Sequence, residues 1–155
     1  MRKKQNFYDL SFNDLKNFLI KDVGIEKGKV KMRAQQLFFA VYKKGLTNFN
    51  DLTTVTESLR KELNNVLSLS LPTIIKTEIA DDKTIKWLLK LDDENKNLIE
   101  VVLIPSKSHN TICVSVQVGC AMSKNSACIH CATGTQLLVK NLSASEIVMQ
   151  MMIAK

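Results

Sequence analysis

Thr111-Ile112-Cys113-Val114-Ser115-Val116-Gln117-Val118-Gly119-Cys120 runs into a polar loop that closes on Cys128-Ile129-His130-Cys131. The opening residues alternate polar and apolar, the period of a half-buried strand, so the spacing predicts a strand over 111–117 that delivers Cys113 and then Cys120. All four cysteines of this 155-residue chain lie between positions 113 and 131. Cys120, Cys128 and Cys131 are spaced like ligands, and such a cluster points to metal or iron–sulfur chemistry before disulfides. The alternative is a set of reduced core thiols acting as small hydrophobes. Ser123, Lys124, Asn125 and Ser126 argue against it, because core cysteines have no reason to gather in a polar loop.

Downstream, Ser143 and Glu146 have capping-box spacing and open a helix carrying Ile147, Val148, Met151 and Met152. Strand, cysteine loop and helix thus follow one another as the opening unit of a parallel β/α arrangement. Such a unit needs neighbouring strands to bury its faces. None follow in this sequence, so it is expected to be truncated or to require a partner.

Upstream, residues 73–110 switch toward period two. Ile75, Thr77 and Ile79 alternate with polar neighbours, Asp81-Asp82-Lys83 makes a turn, and Ile85, Trp87, Leu89 and Leu91 share a second strand's face. Asp92 to Asn97 is a further turn, and Leu98 to Ile104 a third, largely apolar strand before Pro105. This is a small antiparallel meander. Glu100 interrupts its last strand; an antiparallel sheet with one wet face can hold a carboxylate there.

Residues 9–70 have helical period. Ser11 is positioned to cap a first helix bearing Phe12, Leu15 and Leu19; a second, about Lys29 to Lys44, repeats Val30, Ala34, Leu37, Phe38 and Val41 and stops at Gly45. Thr54 and Glu57 have the spacing to open a third, with Val55, Leu59, Leu63 and Val66 as its stripe. These stripes read as core.

Charge is unevenly distributed. Residues 1–72 hold 13 basic and 7 acidic side chains, net +6, out of a chain total of +7. A basic front section is an electrostatic footprint for a polyanion such as RNA, although a lysine-rich composition can also simply solvate helix faces. No apolar stretch approaches membrane-spanning length and the first residues lack the apolar core of a signal peptide, so the expectation is a reduced, cytoplasmic protein without a membrane partner.

The run from Thr111 to Cys120, then Cys128-Ile129-His130-Cys131-Ala132-Thr133-Gly134-Thr135-Gln136, then Asn141-Leu142, resembles the radical S-adenosylmethionine enzymes that methylate C2 of adenosine in ribosomal and transfer RNA. Arg33-Ala34-Gln35-Gln36, Tyr42, Gly45, Phe49, Leu59-Arg60, Lys86-Trp87-Leu88 and Ile104-Pro105 are similar, in order, to the family's preceding segments.

The resemblance implies an α+β chain with a helical, RNA-engaging domain over 1–72 and a β-rich linking segment over 73–110. Over 111–155 it implies the first strand–loop–helix unit of an incomplete radical SAM (β/α) barrel. It implies that Cys120, Cys128 and Cys131 hold a 4Fe–4S cluster whose open iron takes S-adenosylmethionine. It further implies that Glu100 takes the proton from adenine C2 and that Cys113 resolves a protein–RNA adduct by thiol chemistry. Ribosomal and transfer RNA are the implied partners; the missing sheet neighbours, not the resemblance, raise a second polypeptide completing the barrel as an alternative to truncation.

The departures bear on activity. Seven residues, Ala121 to Ala127, separate the first two ligand cysteines, where the family has three. Doubling a flexible loop adds only about 0.6 kcal/mol of closure entropy, so ligation stays thermodynamically open. His130 stands in place of an aromatic residue and Lys140 in place of the commoner arginine. The family's Gly-Glu-Pro cofactor segment and its methyl-carrying cysteine have no counterpart here. The chain is therefore expected to be an N-terminal fragment inactive by itself. A reading of another class is a stand-alone RNA-binding module in which Cys113, Cys120, Cys128 and Cys131 hold a structural zinc, since four thiolates suit tetrahedral zinc.

Overall fold

In a computed structural model, residues 4–124 and 132–155 are described, and they form two compact units, Met1–Ser70 and Leu71–Lys155. The first is helical. A short strand β1 (Gln5–Asn6) precedes α1 (Phe12–Lys21), α2 (Lys27–Phe38) and α3 (Glu57–Val66), and β2 (Leu67–Ser68) returns parallel to β1. Ser11 caps α1, its Oγ accepting from the Asp14 backbone N–H at 3.2 Å, as the spacing predicts.

Two boundaries differ from the sequence reading. Thr56, not Thr54, caps α3, accepting from the Leu59 N–H. The intervening residues are already bonded into tight turns, Thr53 N–H to the Asp51 carbonyl and Val55 N–H to the Leu52 carbonyl. And α2 does not run unbroken to Lys44: after Phe38 the chain widens into a π-helical turn, Phe39–Lys43. The core of this unit is aromatic at its centre. Phe7 and Phe49 are buried, and Phe7 lies 5.6 Å from Phe38 and 5.9 Å from Tyr42, ring centre to ring centre.

The second unit is built on an antiparallel sheet in the order β3 (Thr73–Ile79), β4 (Ile85–Lys90), β5 (Leu98–Ile104), β6 (Thr111–Cys113). The predicted strand over 111–117 is divided. Its first part joins the meander as β6, and its second becomes β7 (Gln117–Val118), paired antiparallel with β8 (Lys140–Asn141). Val114 to Val116 turn the corner between the two sheets. The last helix, α4 (Ala144–Ile153), has the predicted capping box between Ser143 and Glu146. Leu89, Leu91, Ile99 and Val101 of the meander share one core with Val118 and Leu142, and Ile147 and Ile153 of α4 pack against it. The meander thus supplies the apolar surface that the strand–loop–helix unit requires. No described helix is long and apolar enough to cross a membrane.

Candidate functional site

Pairing registers decide which side chains share a face, because directly opposed residues of an antiparallel pair point the same way. Trp87, Leu89, Ile99, Val101, Leu103 and Ile112 form the inner face. Glu100 is opposite Leu88, and Cys113 is opposite Val102. Since Glu100 and Val102 are two apart on β5, Glu100 and Cys113 lie on the same outer face, on adjacent strands in diagonal register. Such positions are about 7–8 Å apart. Both are exposed. The two residues that the family resemblance marks for proton and thiol chemistry therefore occupy one patch.

That patch is charged along one side. Lys76 and Lys86 flank Glu78 at 2.5 and 2.8 Å, and Lys86 reaches the Glu100 carboxylate at 3.6 Å. Hydrogen bonds from Lys76 and then Lys86 hold the Glu78 carboxyl down at about 2. The bond to Glu78 and the charges of Glu100 and Glu78 push the Lys86 ammonium upward.

The corner between β6 and β7 is fixed by a residue that periodicity does not single out. Gln150 of α4 is completely buried. Its Oε1 accepts from the Ser115 N–H at 2.8 Å, and its Nε2 donates to the Ser115 carbonyl at 2.9 Å and the Glu146 carbonyl at 3.0 Å. The Ser115 hydroxyl in turn donates to the Glu100 carbonyl at 2.8 Å. One helix side chain thus holds the backbone that links Cys113 to β7, and Ser115 binds it to the strand bearing Glu100. A buried glutamine inside an apolar helix was the available sequence signal, but its partners are backbone groups 35 residues away.

Cys120 is half-buried at the end of the β7–β8 hairpin, next to Gly119 in the left-handed region at φ +74°. A Cβ on Gly119 would stand 2.0 Å from the Leu137 carbonyl oxygen. Only glycine permits this approach. Cys120 bridges Leu137, and its N–H donates to the Gln136 carbonyl at 3.0 Å. Gln117 and Asn141, each part of the recognised run, meet across the hairpin at 2.7 Å. Two short 3₁₀ turns, Ala121–Lys124 and Ala132–Thr135, lie against one another and bring together the two ends of the cysteine loop. Cys128, His130 and Cys131 lie outside the described residues. Among the described residues no three metal-ligating side chains gather.

Lys140 sits between Asp93 at 2.9 Å and Glu146 at 2.7 Å, tying the β4–β5 turn, β8 and the first turn of α4 together. Burial would lower the Lys140 ammonium, but its hydrogen bonds to Glu146 and Asp93 outweigh that and raise it. Burial also works against the Asp93 carboxylate; hydrogen bonds from Asn97 and Lys140 prevail and hold it at about 2.

Residues 5–69 match the ribosomal RNA large subunit methyltransferase N-terminal domain. Across 99% of its length the chain is 36% identical to the dual-specificity RNA methyltransferase RlmN of Bartonella quintana, covering 37% of that protein. With the RlmN of Bradyrhizobium diazoefficiens it shares 38% identity over 98% of the chain and 38% of the relative. A crystal structure of a radical SAM methyltransferase from Sphaerobacter thermophilus superposes with a TM-score of 0.80 at 34% identity, over 97% of this chain and 41% of that one. The chain spans less than two fifths of the length of these two curated relatives. Over the part it spans, this chain is similar to the RlmN-type radical SAM RNA methyltransferases.

Proposed function

We propose that these residues form the RNA-engaging and cluster-carrying part of a radical SAM enzyme that methylates C2 of adenosine in ribosomal and transfer RNA, with residues 111–155 opening its β/α barrel. The observation that supports this most is the common outer face of Glu100 and Cys113, held by the Gln150–Ser115 hydrogen bonds. An adenine laid on that face has a carboxylate and a thiol within reach from adjacent strands. Glu100 is the base for the C2 proton, with Lys86 holding its carboxylate in place. The Cys113 thiol resolves the thiol-linked RNA adduct.

Cys120, Cys128 and Cys131 would hold a 4Fe–4S cluster with S-adenosylmethionine at its open iron. The half-buried Cys120 on a rigid glycine corner fits such a ligand, and soft thiolates suit iron. When bound, this pair supplies the one-electron chemistry that activates an otherwise unreactive methyl group. With three thiols so assigned, Cys113 is the remaining one among these 155 residues. One thiol cannot both carry the methylene bridge and resolve it, so these residues alone are expected to yield no 2-methyladenosine.

RNA engagement falls to the first unit, where the basic excess lies. Because the attraction is mainly to phosphate, affinity for a folded ribosomal RNA fragment should fall steeply between about 50 and 200 mM salt. Filter binding across that range tests it. Absent binding, or binding indifferent to salt, would sink the RNA reading.

A further inference from the structure

The first unit contains a cavity of about 270 Å³ where α2 gives way to the π-helical turn, lined in part by Gln36, Phe39, Lys44, Asp51 and Thr53. That is just below the ~300–1,000 Å³ of ordinary small-molecule sites and suits a single ring system rather than a whole cofactor. The widened turn separates Phe39 from its neighbours: Ala40 and Val41 are buried, while the Phe39 ring is 56% exposed. π-helical turns recur at functional sites. The Lys44 ammonium stands 5.6 Å from that ring's centre. Arg33 donates to the Gln36 side chain at 2.9 Å, bringing a guanidinium close to the cavity wall.

The charges are arranged in a way that selects a ligand. The cavity lining is mostly apolar, and its carboxylate, Asp51, has no cation partner among the described residues. A phosphate beside Asp51 would be repelled. Lys44 of the same lining, Arg33 beside Gln36 and the net positive unit attract one. A ligand that is planar and uncharged at its tip and anionic at its stem satisfies both conditions, and a nucleotide of single-stranded RNA is such a ligand. Aromatic side chains stack on any base. A carboxylate accepts from the exocyclic amino group at cytosine N4, whereas uracil carries a carbonyl oxygen, O4, at the same position and repels it there.

We infer that this cavity seats one unpaired, amino-bearing nucleobase of the RNA, stacked on Phe39 and read by Asp51, with its phosphate at Lys44 and Arg33. The inference rests on the proposal that this chain engages RNA, and the test separates the two.

Fluorescence anisotropy of the full chain would be measured with labelled oligo(C), oligo(U) and a blunt RNA duplex of equal length, at several salt concentrations. Phe39→Ala should weaken oligo(C) binding about 5- to 100-fold, as loss of one stacked base does, with an unchanged salt slope because no phosphate contact is lost. Duplex binding should not change, and Phe39→Trp should retain oligo(C) affinity. Asp51→Asn should abolish the preference for oligo(C) over oligo(U). Phe39 is exposed, so its replacement leaves the core intact. Equal oligo(C) affinity of Phe39→Ala and the parent chain would overturn the inference while leaving RNA engagement standing. Parallel loss on oligo(C) and duplex would overturn it too, in favour of a phosphate contact. Failure of the parent chain to bind any of the RNAs would overturn the RNA reading itself.

Discussion

Replacing Gly119 by alanine should unfasten the corner that carries Cys120. The alanine Cβ would stand 2.0 Å from the Leu137 carbonyl oxygen and 2.7 Å from its carbon, both backbone atoms that no side-chain rotation can clear. Holding a non-glycine residue at φ +74° adds roughly 1–2 kcal/mol, and forcing bulk into a packed contact roughly 1–3 kcal/mol. The chain's escape is to part the Cys120–Leu137 bridge. That gives up the Cys120 N–H bond to Gln136 and strains the neighbouring Val139 N–H bond to Val118, at about 1 kcal/mol each. The two routes are of similar size, so the variant should lose about 2–4 kcal/mol. Urea denaturation reads the total, and amide exchange at Cys120 and Val139 reads the local opening. A variant within about 0.5 kcal/mol of the parent, with both amides equally protected, would refute the close approach.

Gln150→Leu keeps the side chain's bulk but leaves the part-buried Ser115 N–H and carbonyl without their partners, which should cost about 1–3 kcal/mol and speed exchange at Ser115 first. Gln150→Glu would bury a carboxylate against the Ser115 and Glu146 carbonyl oxygens, so at neutral pH it should lose at least as much in the same denaturation assay. Acid should loosen the contact between the β4–β5 turn and β8: Asp93 is held near 2 against an ordinary 3.8, so its contribution is complete above about pH 4 and is lost as pH falls toward 2. Asp93→Asn should flatten that limb of a stability–pH profile. At the other extreme, burial first and then the Tyr42 charge push the Tyr8 phenol to about 12 from 10.0, so the first unit should lose stability as pH rises from about 10 to 12. Tyr8→Phe should reduce that alkaline loss in thermal melts, leaving the part due to Tyr42, whose phenol burial also raises.

Local rules read off letters performed well where the deciding contacts are local. Ser11 with Asp14 and Ser143 with Glu146 announce helix starts because a cap bonds within its own first turn. Leu98 to Ile104 was legible as a strand from its apolar run and flanking turn. Thr54 failed as a cap because the tight turns at Asp51 to Val55 engage the backbone ahead of Thr56, competition that spacing alone does not show. Phe7 and Tyr8 lie in a stretch that reads as polar, yet they join the aromatic cluster because Phe38, Tyr42 and Phe49 reach them from distant positions. The strand over 111–117 divides for a similar reason: Gln150 takes both backbone groups of Ser115 out of any ladder. At the site, the compact backbone at Gly119 was legible in the sequence. The common face of Glu100 and Cys113 was not, since it depends on the register between β5 and β6.

The central claim is that Cys120, Cys128 and Cys131 act as ligands while Cys113 is kept apart for thiol chemistry. Iron, sulfide and zinc measured after anaerobic reconstitution of the parent chain and of single alanine variants test it most directly. Cys113→Ala should bind iron and sulfide as the parent does, whereas Cys120→Ala should bind neither. Stoichiometric zinc in the parent that disappears with Cys113→Ala would contradict the account and support a four-thiolate zinc site.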